Sequence, residues 1–231
     1  MNSRPILGTF RSAGILYLLA AVLLLSVEYI VSSKFPGYSY LTNYVSDLGV
    51  PEAGYFEGRA IDSPLAWLMN LGFVAHGILV LAATAVLVRA AGSGAGRWVL
   101  MALSVLYALG FATIATFHGS EQSAADGIVW LHFVGGGLLA FSGSGMSVVA
   151  GIAAGRFGAK AAFRVTSIAL GLLGIVSIVL LAVDKADPGM NLLGEGALER
   201  GGLYAILLWQ LLAGAAMLWR RPSVADGRGT R

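Results

Sequence analysis

The stretch that decides the fold is residues 111–137, FATIATFHGSEQSAADGIVWLHFVGGG. Two apolar runs meet there in a short polar turn, residues 119–126, with His118 just before it and His132 just after it. A helix needs about 20 apolar residues to cross a bilayer core. Six runs along the chain qualify, at about 12–33, 64–88, 98–117, 127–155, 165–183 and 202–219. The fold class read from them is all-α: a polytopic membrane protein built as a single domain, residues 1–231, around a six-helix transmembrane bundle. Residues 34–63 form the longest non-spanning segment, an outer loop.

Composition agrees. The chain is 57% hydrophobic and 12% charged, against about 25% charged residues in an ordinary soluble domain. There are too few charges to coat a water-soluble globule. Cysteine is absent, which excludes disulfides, thiolate metal sites and cysteine nucleophiles. The net charge of +3 comes from basic residues clustered at the ends of apolar runs, so they read as topology signals and nucleic acid is excluded as a partner. The prolines Pro5, Pro36, Pro51, Pro64, Pro188 and Pro222 fall outside the runs or at a first helical position, where proline disturbs no helix interior. Ser63-Pro64 reads as a cap followed by an N1 proline. Val31-Ser32-Ser33-Lys34 is a poor cleavage site, so the first run reads as a retained span.

Lys and Arg set the orientation. With the N-terminus inside, one side holds Arg4, Arg11, Arg89, Arg97, Arg156, Lys160, Arg164, Arg220, Arg221, Arg228 and Arg231. The other side holds Lys34, Arg59, Lys185 and Arg200. Acids fall mostly on that second side, with Asp226 the clear exception. The expectation is a multi-pass protein of the prokaryotic plasma membrane with both termini cytoplasmic.

Several short motifs follow in order: Asn43-x-x-Ser46-Asp47-Leu48-Gly49, then Asn70-x-x-Phe73, then His132 at the head of the fourth run, then Glu199-Arg200 ahead of Trp209. This order resembles the prokaryotic membrane family called domain of unknown function 998 (DUF998), over about residues 12–219. The turn at Phe117-His118-Gly119 departs from the family pattern, which often carries a Phe-Pro pair there. The resemblance implies a six-helix membrane protein and brings no established activity.

Polar residues gather on one side of the spans: Asn43, Ser46, Asp47, Asn70, His76, His118, Glu121, His132, Asp184, Glu199 and Arg200. Ionisable groups at membrane depth usually face a bundle interior or a wet cavity. The expectation is an outward-facing polar pocket that binds or carries a membrane lipid or small molecule, lined by Asn43, Ser46, Asn70, Glu121 and Arg200. Two cofactor chemistries compete with a site that has none. Zinc on His76, His118 and His132, with Asp47 and Glu199 as catalytic carboxylates, would make a metal-dependent hydrolase of a lipid ester or amide. Haem held axially by His76 and His132 would make a membrane cytochrome. Gly143, Ser147, Gly151 and Gly155 recur every four residues on one helix face. They read as a helix seam, either inside the bundle or between two copies of the chain. Gly135-Gly136-Gly137 lies in an apolar span with no preceding strand and resembles no phosphate loop.

Overall fold

The computed structural model describes residues 3–90, 94–187 and 192–219, with side chains from residue 8 onward except those of Ala90 and Phe157. Pro188, Arg220, Arg221, Pro222, Asp226, Arg228 and Arg231, used in the sequence reading, lie outside the described residues, as does the side chain of Arg4.

Among the described residues there are seven α-helices: α1 Ser3–Ser32, α2 Ala66–Ala90, α3 Ala95–Thr116, the short α4 Glu121–Ala125, α5 Val129–Ala153, α6 Ala161–Ala186 and α7 Glu195–Leu218. All but α4 are long and apolar enough to cross a membrane. Two helices start earlier than apolar runs suggest. α1 begins at Ser3, with Pro5 in its first turn, where backbone N–H groups have no helical partner to lose. α7 begins at Glu195, because its polar first turns find partners in the loop described below. Ser63 does not cap α2. Its hydroxyl donates to the Leu48 carbonyl at 2.6 Å, and Pro64 sits in a turn two residues ahead of the helix.

The helices form a closed ring: α1, α2, α3, α5, α6, α7 and back to α1. Tyr17, Phe73, Tyr107, Phe111 and Trp209 fill its centre, all nearly inaccessible. Trp209 is therefore a core residue, edge-on to Tyr17, while Trp98, Trp130 and Trp219 are exposed near helix ends. The outer surface shows Leu19, Val22, Ile78, Leu172, Leu173 and Leu208. Such a sheath suits lipid and not water. The six helices fit a multi-pass integral membrane protein.

Residues 33–63 cover one end of the ring. They contain a 3-10 turn, Ser46–Gly49, and a two-stranded antiparallel hairpin, β1 Gly54–Phe56 with β2 Arg59–Ile61. Glu57 and Gly58 join the strands, both at positive φ (46° and 76°), as the tight hairpin turns require.

The α5–α6 seam has two halves. In one, the backbones touch. A Cβ at Gly171 would lie 2.6 Å from the Ser144 carbonyl oxygen, and one at Gly151 2.7 Å from that of Arg164. Ser147 donates to the Ser167 carbonyl across the same seam. Gly143 faces Tyr107 and Ile206 instead. The small-residue face of α5 thus packs on α3, α6 and α7 of the same chain. In the other half α6 leans on α7, where Gly201 meets Ser177 and Gly202 meets Ile178. There α5 presents Gly136 and Gly137, whose added Cβ atoms would meet nothing within 4 Å.

Candidate functional site

The covering loop is held by two arginines. Arg59, 8% exposed, donates from Nε to Asp47 Oδ2 at 3.1 Å and from Nη1 to Glu195 Oε2 at 3.2 Å, and lies 3.9 Å over the Tyr44 ring. Burial works against its charge, but the Asp47 carboxylate and its hydrogen bond outweigh that and push the guanidinium pKa up. Asp47, 2% exposed, also accepts from Tyr44 N at 2.9 Å and Asn43 Nδ2 at 3.3 Å. Asn43 in turn ties to Ser39 N and the Ala60 carbonyl. Tyr44 donates to Glu195, and burial first, then that bond, raises its pKa. Arg200 donates from Nε to Glu28 at 3.1 Å, and from Nη1 to the carbonyls of Tyr40 (2.9 Å), Asn43 (2.7 Å) and Gly196 (3.2 Å). It also donates to Tyr38. The loop is therefore pinned to α1 and α7 by buried, fully directed charges.

Beneath it lies a cavity of about 270 Å³ between the parted halves of α5 and α6. Phe73, Phe111, Leu139, Ile178, Leu181 and Leu203 make its apolar walls. Its polar side chains are Tyr44, Ser46, His132, Lys185 and Glu199, from the loop and from the loop-proximal turns of α5, α6 and α7. Glu199 Oε2 accepts from Val45 N at 2.5 Å. His132 Nδ1 lies 2.9 Å from the Phe117 carbonyl and must donate to it. Lys185 donates to Glu57 at 2.5 Å and stands over the rings of Phe133 and Tyr44.

The three histidines do not converge. His76 is fully buried in the ring centre. Its Nδ1 donates to the Ala20 carbonyl and its Nε2 accepts from the Tyr107 hydroxyl, both at 2.9 Å. Gln210 completes this network by donating to Tyr107 Oη at 3.3 Å. Both imidazole nitrogens are used, so His76 offers no lone pair to zinc or haem. His118 Nε2 accepts from Asn70 Nδ2 at 3.2 Å, and burial lowers the His118 pKa against a weaker opposing pull from Glu52. Asn70 also donates to the Gly49 carbonyl. Among the described residues no three His, Asp or Glu side chains are grouped to hold a metal. His76, His118 and His132 thus belong to separate hydrogen-bond networks, whereas a three-histidine zinc centre or a His76–His132 haem pair needs them turned to a common point.

The other expected site residues divide. Ser46, His132 and Glu199 come together around the cavity. Asp47 is not free to act as a base, because both its oxygens are held by Arg59 and neighbours. Asn43, Asn70 and Arg200 shape the loop. Glu121 starts α4 and lines a separate hollow of about 320 Å³ against the hairpin, with Glu52, Tyr55 and Ser120. Sequence reasoning missed Lys185, Phe133 and the open glycines. The run Gly135–Gly137 was their signal: Gly135 packs tightly on Thr113, whereas its two neighbours face open space.

The model of the family described as "Protein of unknown function (DUF998)" covers residues 18–216, most of the chain, and the chain belongs to that family. No curated protein and no solved structure matches it.

Proposed function

We propose that this DUF998 protein holds a membrane amphiphile in the α5–α6 cavity, its apolar part between the helices and its head group under the loop. The observation that carries this reading is the segregation within the cavity: apolar walls along its length, polar side chains confined to the roofed end. Ligand sites are concave, mainly apolar, and oriented by a few polar groups. About 270 Å³ lies at the lower edge of the ~300–1,000 Å³ common for small-molecule sites, so a small head with one chain segment suits it and a whole two-chain phospholipid does not.

The roofed end faces out of the cell in this reading, and both termini lie in the cytoplasm of a prokaryote. Support comes from the Lys and Arg imbalance. Of the loop-end cations, Arg59, Lys185 and Arg200 are all paired with carboxylates, whereas Arg11, Arg89, Arg97, Arg156, Lys160 and Arg164 cluster at the other end.

The test is mass spectrometry of lipids extracted from detergent-purified protein, wild type beside Gly136→Phe. Gly136 lines the cavity and its added Cβ meets nothing within 4 Å, so a bulky side chain there should compete for the space. A co-purifying amphiphile in the wild type that is lost from the variant supports the reading. Equal recovery from both defeats it. A reporter fused to the C-terminus that works only outside the cytoplasm would overturn the orientation.

A further inference from the structure

The polar end of the cavity holds acceptors that no donor among the described residues fills. Glu199 Oε2 takes the Val45 N–H, and among the described residues Oε1 has no donor. His132 commits Nδ1 to Phe117, which leaves Nε2 an acceptor with no donor among the described residues. The Ser46 hydroxyl likewise has no partner there. Tyr44 gives its hydroxyl proton to Glu195, and Lys185 gives one of its three N–H groups to Glu57. Charge points the same way. Five carboxylates, Glu28, Asp47, Glu57, Glu195 and Glu199, stand among three cations, Arg59, Lys185 and Arg200. A phosphate or carboxylate head would enter a negative field. Buried charges need a partner, and a hydrogen bond between ionised groups is the strongest kind available.

We infer that the cavity selects an amphiphile with an amine head group, whose ammonium donates to Glu199 Oε1 at the roofed end. This rests on the amphiphile-binding reading above and narrows it. The apolar chain runs along Phe73, Phe111 and Leu203.

The experiment measures affinity of the full chain in a non-ionic detergent for dodecylamine, dodecanol and dodecyl phosphate, which share one chain and differ in head. The amine should bind about tenfold or more tighter than the alcohol, as expected for a charge-assisted bond over a neutral one, and the phosphate weakest. Glu199→Gln keeps an acceptor for Val45 N and removes the charge. It should bring amine and alcohol affinities within about threefold of each other. Phosphate binding as tight as the amine, or an amine-to-alcohol ratio unchanged in Glu199→Gln, would overturn the head-group assignment while leaving the cavity reading intact. Binding of all three probes that survives Gly136→Phe would instead overturn the cavity reading, and the assignment with it.

Discussion

The two halves of the α5–α6 seam use the same residue to opposite ends. Toward α5's C-terminal end, Gly151 and Gly171 remove side chains so that backbones can touch, and Ser147 bridges the gap by hydrogen bonding. Toward the loop, Gly136 and Gly137 remove side chains and nothing comes in to replace them. What differs is α6's other neighbour. Ser177 and Ile178 settle on Gly201 and Gly202 of α7, which draws that part of α6 away from α5. Small residues permit close packing in a membrane. They do not compel it.

The largest way to break this contrast is to unpin the roof over the open half. Arg200→Ala leaves Glu28 buried without its cation and strips three carbonyls of a donor. Losing one member of a buried pair costs about 3–5 kcal/mol. Melting of the purified variant in detergent should show a large fall that Glu28→Gln partly reverses. A wild-type melt would mean that the pair does not hold the loop.

A smaller effect separates the halves directly. Gly171→Ala places a Cβ against the Ser144 backbone, and overpacking of this kind costs about 1–3 kcal/mol. Gly136→Ala meets nothing and gains up to about 1 kcal/mol of helix propensity. Reversible unfolding of the two variants should give changes of opposite sign. Similar losses at both positions would erase the distinction between a closed and an open half.

The smallest effect concerns the turn beside the open half. Burial lowers the His118 pKa in the folded protein, so protonation favours the unfolded chain. The stability linked to His118 is therefore present above the ordinary histidine range, about 6.5, and lost as pH falls below it. His118→Gln keeps an acceptor for Asn70 and cannot titrate. Its melting temperature should fall less than the wild type's on acidification, and parallel pH profiles would reject the linkage.

Much of the molecule was legible in advance. The apolar runs marked six spanning helices, and the motif order marked the family. The reading faltered where partners distant in sequence decide the outcome. Glu195–Arg200 extend α7 beyond its apolar run because Tyr44, Val45, Glu28 and the carbonyls of residues 40 and 43 are there to receive them. The hairpin had a local signal in Gly58, a residue that takes the positive φ its turn position requires. The histidines looked alike in the chain and separated in space: His76 in the core, His118 on Asn70, His132 at the cavity.

By itself the sequence determined the helices and their suitability for a bilayer, because hydrophobicity sustained over a helix's length is a local property that lipid reads directly. Only the tertiary structure decided which glycines close a seam and which open a cavity, and which acids are paired and which are left to face it. Those outcomes depend on what stands opposite each residue, and the opposing groups arrive from elsewhere in the chain.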